Sequence, residues 1–273
     1  MSKVVENIKS CDPVWDRLCD EAREIAAQEP VMSSYVYSTV LNHDSFDEMM
    51  SFHLARKLAN EDLNAMVLRE VFEDAFNADP EISNAVRADI VAVFDRDPAC
   101  LSYIQPLLFF KGFNAVQSHR LAHWLWQEKR ATMAFYIQSR VSELFGVDIH
   151  PAAVLGKGLM MDHATGVVIG ETAVVGDDVS MLHGVNLGGT GKVDGDRHPK
   201  VGNGVLLGAD SKILGNLVIG DCARVGAGSV VLADVPANCT VAGVPAKVVG
   251  CAGYEQPARA MDHMIRDDEK SAD

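Results

Sequence analysis

From Val201 onward an aliphatic residue returns every six positions: Val201, Leu207, Ile213, Ile219, Val225 and Val231. Glycine follows four of them directly, as Gly202, Gly208, Gly220 and Gly226. The position four after each aliphatic is Val205, Ser211, Leu217, Ala223, Ser229 and Val235, small or apolar throughout. The same frame occurs earlier at Ile149, Leu155, Met161 and Val167, then shifts by two and resumes at Ile169, Val175, Met181 and Leu187. This period matches neither the alternation of a strand nor the turn of a helix. A short fixed period means one small unit stacked on copies of itself. Three units make a triangular coil with a short strand on each side. The aliphatic residue points into the prism, and a glycine or small polar residue takes the corner. Successive coils then pair as parallel strands about 4.8 Å apart.

The first half of the chain follows different rules. Asp12-Pro13, Asp79-Pro80 and Asp97-Pro98 each supply a helix cap followed by a proline suited to a first turn. Ser45 with Glu48 forms a capping-box pattern before Met49, Phe52 and Leu58. Apolar residues at helical spacing run through Trp15, Leu18, Ala22 and Ile25, and through Val67, Leu68, Val71 and Phe76. A helix starting at Asp79 is predicted to reach about Phe94. Between Gly112 and Gly146 there is no proline, and Phe113, Val116, Leu121, Trp124, Leu125, Phe135 and Ile137 predict one or two long helices. The expected architecture is therefore an α+β two-domain chain: an all-α N-terminal domain over residues 1–146, a stacked β domain over 147–250, and a flexible tail over 251–273.

Composition narrows the function classes. The 273 residues carry a formal charge of −14, which argues against a nucleic-acid partner, since such proteins usually present a basic face. No apolar run has the length of a membrane span, and the N-terminus lacks the apolar core of a signal peptide, so a cytoplasmic protein without a membrane partner is expected. The six cysteines, Cys11, Cys19, Cys100, Cys222, Cys239 and Cys251, form no CxxC pair. Their spacing fits reduced thiols acting as small hydrophobes better than a zinc site or disulfide framework.

Between Leu187 and Val201 the repeat is interrupted by Gly-Gly-Thr-Gly-Lys-Val-Asp-Gly-Asp-Arg-His-Pro-Lys, a loop thrown out from one coil. Loops on rigid scaffolds commonly carry function. The Gly191-Lys192 pair fails as a Walker A motif: Asn186 stands where the first glycine belongs, and Val193 replaces Ser or Thr. ATP hydrolysis is therefore not expected. In order along the chain come Asp148-Ile149-His150-Pro151, Met161-Asp162-His163-Ala164-Thr165-Gly166, Leu187-Gly188-Gly189-Thr190-Gly191-Lys192 and Asp196-Arg197-His198-Pro199-Lys200. Gly226-Ala227-Gly228-Ser229-Val230-Val231 and Ala242-Gly243-Val244-Pro245-Ala246 follow. With the helical first half, this set resembles the serine acetyltransferases among the hexapeptide-repeat acyltransferases, over nearly the whole chain to about Gly250. The last two motifs are shared widely among hexapeptide enzymes; the DHATG element, the interrupting loop and the helical domain together are specific. The resemblance implies a left-handed parallel β-helix, a hand that the period alone does not show and that departs from the usual right-handed crossover.

The resemblance also implies an activity and its residues. Acetyl-CoA would be the co-substrate, with no metal, and L-serine the acceptor. Acyl transfer to a hydroxyl needs a base, and histidine suits that near neutral pH. The family's catalytic histidine falls on His163. Asp148 lies close to one coil earlier and would orient the imidazole, within a subunit or across an interface. Asp97 and Asp162 would hold the serine ammonium. Arg197 and His198 would hold its carboxylate, the arginine through a bidentate fork. His183, on a coil of the repeat, is placed with this substrate-binding set. Gly189, Thr190, Ala209, Ala227 and Lys247 are the CoA-binding positions, with Lys247 near a CoA phosphate and small residues allowing close approach. Transfer would be direct, because no cysteine lies in these motifs, with backbone amides in the Gly188–Gly191 loop available to an oxyanion.

Other readings of the same residues are a hexapeptide acetyltransferase for homoserine, a sugar or an antibiotic, and a prism used only for assembly. A further one is a zinc carbonic anhydrase using His163, His183 and His198 across a trimer interface. The family implies trimers through the prisms, paired into hexamers by the helical domain, with L-cysteine as feedback inhibitor at the serine site. Members often end in an isoleucine that enters the active site of cysteine synthase. This chain ends Glu269-Lys270-Ser271-Ala272-Asp273, a charged end poorly matched to an apolar anchor pocket, so that complex is not expected.

Overall fold

The structure, a computed structural model, describes residues 12–191 and 194–265. Its first half contains α1 (Pro13–Gln28), α2 (Ser33–Val36), α3 (Phe46–Leu58), α4 (Ala65–Ala78), α5 (Pro80–Arg96), α6 (Ile104–Phe109), α7 (Lys111–Gln127) and α8 (Ala131–Phe145). Local sequence explains four of these eight starts. Asp12 accepts the Trp15 amide, Asp79 the Glu81 amide, Asn64 the Met66 and Val67 amides, and Ser45 the Glu48 amide. Asp97 differs from expectation. No helix follows it; it closes the C-terminal end of α5, and its carboxylate accepts the Ala99 amide at 2.8 Å in the turn beyond. The Asp-Pro signal is shared by caps and turns, and burial of Val93 and Arg96 carries α5 two residues past Phe94.

Gly146 ends α8 in the left-handed region at φ 65° and turns the chain into the prism. Three sheets follow, parallel throughout except where β15 pairs antiparallel with β14. The first holds β1 (Val147–Ile149), β4 (Val167–Ile169), β7 (Asn186–Gly188), β10 (Lys212–Leu214) and β13 (Val230–Val231). The second holds β2 (Val154–Leu155), β5 (Val174–Val175), β8 (Lys200–Val201) and β11 (Val218–Ile219). The third holds β3 (Met160–Met161), β6 (Ser180–Met181), β9 (Leu206–Leu207), β12 (Arg224–Val225), β14 (Cys239–Gly243) and β15 (Ala246–Cys251). The six-residue frame becomes the interior: Val201, Leu207, Ile213, Ile219, Val225 and Val231 are buried, as are Val205, Ser211, Leu217, Ala223, Ser229 and Val235. Val167 is the exception in the early frame. It is buried, but it pairs with Val147, while Ile169 pairs with Ile149. That first coil is thus 20 residues long, against the 18 that separate Ile169 from Leu187.

One continuous core joins the helices to the prism. The joint is polar at its centre. Asp89 of α5 is fully buried and accepts from Arg120 Nη2 (2.6 Å), Gln117 Nε2 (3.0 Å) and the Leu159 amide (2.7 Å). Arg120 also donates to the Gly156 carbonyl at 2.8 Å. Arg96, at the end of α5, reaches Ser180 and Asp178 on the prism. Nor does the chain come loose at residue 251. After the β14–β15 hairpin it packs back on the third sheet through α9 (Pro257–Ala260), with Ala258 buried and its carbonyl accepting from Ser180 at 2.8 Å. Arg224 then holds the Asp262 and Met264 carbonyls. Residues 266–273, on which the cysteine synthase reading rests, lie outside the described residues.

Two outcomes follow for stability. Asp89→Ala leaves the Arg120 charge buried without its partner and should cost about 3–5 kcal/mol, read as a lower urea midpoint. His53 and His119 are buried, and burial pushes both down to about 3. Below the ordinary histidine value of about 6.5 the unfolded chain binds protons that the folded chain refuses. Each histidine should therefore remove up to about 1.4 kcal/mol of stability per pH unit as pH falls from 6.5 towards 3. Urea titrations at stepped pH check the slope, and His119→Gln should flatten it.

Candidate active site

The two extra residues of the first coil fall at one corner. From Met161 to Ile169 the chain takes eight steps, where the next coil takes six from Met181 to Leu187. The insertion is the segment around His163 and Ala164, both in the left-handed region at φ 56° and 61°. Such backbone is uncommon for residues with a side chain, and concentrates where function demands it. Ala164 is buried beneath the corner, and the His163 side chain is pushed outward, 73% exposed.

The helical domain closes over this corner. At the start of α7, Gly112 lies so close to the prism that a Cβ would sit 2.0 Å from the Met161 carbonyl oxygen. Only glycine allows that contact. The result is a cleft of about 470 Å³ between the domains, lined by Asp97, Lys111, Met160, Asp162 and His163 among others. Asp162 Oδ2 is 3.6 Å from His163 Nε2. Lys111 donates to the Thr165 hydroxyl beside them. The His183 ring stands edge-on to His163 at 6.1 Å, with Asp210 3.9 Å from its Nε2. Backbone hydrogen bonds stack Thr165, His183, Ala209 and Ala227 along this same corner through Gly184, Asp210 and Gly228. Asp162, His163, His183, Ala209 and Ala227 therefore share one edge of the prism, and Asp97 of the helical domain lines the cleft with Asp162 and His163.

Arg197 and His198 lie elsewhere, across the first sheet at the next corner. Their anchor is Glu171-Thr172, a pair the sequence reading passed over. Glu171 Oε2 accepts from Arg197 Nη2 at 2.6 Å, and that guanidinium holds the Glu171 carboxyl below the usual range. The Thr172 hydroxyl accepts the Arg197 and His198 amides, both at 3.0 Å, and donates to His198 Nδ1 at 2.9 Å. The Thr172 amide also donates to Nδ1 at 3.2 Å, so the ring proton resides on Nε2. Burial, helped by the Arg197 charge, holds His198 below the ordinary histidine value. The pair presents a guanidinium and a neutral N–H donor, a set suited to a carboxylate. Gly189 adjoins them: a Cβ there would lie 3.7 Å from His198 Nε2, and Thr190 lies against Gly215. The only hint in the sequence was a charged residue at a repeat corner, at Glu171.

Asp148 sits in the middle of β1, facing out of the first sheet, where Gln138 of α8 donates to it at 2.6 Å. No hydrogen bond or ion pair joins it to His163 among the described residues. Lys247 is exposed on β15, opposite Ala242. A larger cavity of about 570 Å³ beneath α7, lined by His119, Trp124 and Lys157, contains none of these residues. Among the described residues no three His, Cys, Asp or Glu side chains are grouped to hold a metal ion, so one chain does not bring His163, His183 and His198 together.

Comparison with known proteins agrees with this architecture. Residues 14–118 match the family described as "Serine acetyltransferase, N-terminal", and residues 198–233 match "Bacterial transferase hexapeptide (six repeats)". The serine acetyltransferase of Salmonella typhimurium is 51% identical over 91% of this chain and 91% of its own. The chain belongs to the serine acetyltransferase family. Serine acetyltransferase 4 of Arabidopsis thaliana is 52% identical over 93% of this chain and 72% of its own. Among solved structures, the Brucella abortus serine acetyltransferase in complex with coenzyme A superposes with a TM-score of 0.87 at 53% identity, covering 89% of this chain and 97% of that one. The Neisseria gonorrhoeae enzyme in complex with serine gives 0.84 at 50%, covering 88% and 99%. A serine acetyltransferase complex with cysteine gives 0.91 at 49%, covering 93% and 98%. Superposition at that level requires the same hand of coiling, and the prism is the family's left-handed β-helix.

A Cβ at Gly170 would lie 2.0 Å from His198 Cδ2. Gly170→Ala should therefore push the His198 ring out of its buried seat and raise its pKa back towards the ordinary value, while the prism stays folded. A histidine NMR titration of the two proteins, with circular dichroism as control, checks both halves.

Proposed function

We propose that this protein is an acetyl-CoA:L-serine O-acetyltransferase, with His163 as the general base and no covalent acyl-enzyme. The observation that carries the reading is the interdomain cleft, where an inserted, left-handed corner brings His163 beside Asp162 in a cleft that Asp97 also lines. Asp97 and Asp162 supply the negative charge an ammonium requires, and His163 stands within reach of a hydroxyl on the same small molecule. The relatives bound to coenzyme A and to serine support this choice of substrates. His163 takes the hydroxyl proton as the oxygen attacks the thioester carbonyl. The tetrahedral intermediate collapses, the CoA thiolate leaves, and the imidazolium returns the proton to sulfur. Amides of the Gly188–Gly191 segment are our candidates for the oxyanion, and Gly189, Thr190, Ala209, Ala227 and Lys247 for contacts along CoA.

The carboxylate-binding pair sits at a different prism corner from the base, so we infer that a site is assembled between two subunits. One copy contributes Asp97, Asp162, His163 and His183, and its neighbour contributes Arg197 and His198. A threefold ring of prisms repeats that contact three times. Asp148, whose bond within the chain is to Gln138, would orient the imidazole across the same contact. We further propose pairing of two such trimers through the helical domains, a cytoplasmic location, and inhibition by L-cysteine at the serine site, in keeping with the relative bound to cysteine.

CoA thiol release from acetyl-CoA, followed with L-serine, homoserine, a galactoside or no acceptor, tests the reaction; release with L-serine alone is expected. His163→Ala should lower kcat by about 10²–10⁴ at unchanged fold. When the His163→Ala and Arg197→Ala proteins are unfolded together and refolded as mixed trimers, roughly a quarter of the sites should regain both residues. Recovery of nothing on mixing would mean that each site lies within one chain.

A further inference from the structure

Cys239 and Cys251 are direct partners across the antiparallel β14–β15 ladder, the first residue of one strand facing the last of the other. The residues just outside the pair are hydrogen bonded, Ala252 N–H donating to the Asn238 carbonyl at 2.8 Å. That pattern makes Cys239–Cys251 a non-hydrogen-bonded pair, in which the Cα atoms are about 4.5 Å apart and the side chains emerge on the same face, close together. The separation lies within the range a disulfide spans. Cys251 is exposed and Cys239 half-buried, unlike Cys100, which is buried. These two therefore depart from the small-hydrophobe role expected of all six cysteines.

We propose that Cys239 and Cys251 are a redox modification site: a dithiol that closes to a cross-strand disulfide by exchange with a low-molecular-weight disulfide. One protein thiolate attacks a sulfur of the reagent RSSR, forming a mixed disulfide and releasing RS⁻. The second protein thiolate attacks the sulfur of the first cysteine and releases the second RS⁻. Two protein thiols are oxidised to one disulfide, and RSSR is reduced to two RSH after protonation. Exposed pairs of this kind reverse readily, as a reducing compartment demands of a sensing disulfide.

The position gives the bond something to act on. The Cys251 carbonyl accepts from the Thr240 hydroxyl at 2.8 Å, and Thr240 Oγ1 accepts from Arg224 Nε at 3.2 Å. The same guanidinium holds the carbonyls of Asp262 and Met264. Between those anchors and α9, Met261 packs with Val93, Cys100 and Met160, two of which line the His163 cleft. The disulfide staples the root of the segment that buttresses that cleft.

The test is independent of the acetyltransferase reading. The full-length protein is equilibrated with glutathione disulfide, remaining thiols are alkylated, and the protein is digested with trypsin. Cleavage after Arg224, Lys247 and Arg259 puts Cys239 in peptide 225–247 and Cys251 in peptide 248–259, so only a disulfide keeps the two together. The joined pair should appear, and dithiothreitol should remove it. Cys222→Ser should leave it unchanged, whereas Cys251→Ser should give a glutathione adduct on Cys239 instead. Glutathione adducts on each cysteine of the wild type, or two alkylated thiols after oxidation, would overturn the proposal.

Discussion

Everything at the candidate site hangs from the carboxylate of Asp89. Fully buried, it must find donors within the protein, and it finds three of them on two elements: Arg120 and Gln117 on α7, and the Leu159 amide on the prism. An ion pair in so dry a place is a poor source of net stability, but it permits very few alternative arrangements. It sets α5 and α7 against the first coil in one register. Asp97 at the end of α5 and Gly112 at the start of α7 are thereby brought to either side of Asp162-His163. Arg96 repeats the device one residue before Asp97, reaching Ser180 and Asp178.

The prism supplies rigidity and a fixed spacing, and the site is made from its two departures from regularity. A two-residue insertion at one corner holds His163 in left-handed backbone and points it outward. An eight-residue lengthening of a coil, between Leu187 and Ile213, delivers Arg197 and His198 at the next corner. Glu171 and Thr172 of the preceding coil then lock the two side chains, fixing the imidazole tautomer and the direction of the guanidinium. Because the two departures lie on either side of the first sheet, Asp162-His163 and Arg197-His198 stand at different edges of one prism. In the ring of prisms we propose, these unlike halves would meet face to face.

Much of this was legible in the sequence. Hydrophobic period alone identified the prism, because every buried position of a stacked coil must be small or aliphatic, whatever surrounds it. The Asp12, Asp79 and Ser45 caps likewise announced helix starts through bonds spanning two or three residues. Legibility failed where a local signal serves two structures. Asp97-Pro98 has the composition of an N-cap, but Asp97 closes α5 and accepts the Ala99 amide in a turn, and the apolar residues beyond it become helical only from Ile104. The segment after Cys251 looked polar enough to be loose, yet Arg224, Ser180 and a buried Ala258 hold it against the third sheet. Glu171-Thr172 escaped notice because their importance lies entirely in residues 25 or more positions away.

The shift of two in the repeat frame shows where the boundary lies. That the frame slips between Met161 and Ile169 is a property of the sequence, since the spacing of core residues cannot change without adding chain. Periodicity, capping chemistry and the motif residues around His163 and Arg197 are all properties of this kind, set by near neighbours along the chain. Which way the extra residues bulge, which helix closes over them, and which corner each functional group occupies were decided only in three dimensions. Those outcomes depend on contacts between residues far apart in sequence, such as Asp89 with Leu159, and no local pattern encodes their geometry.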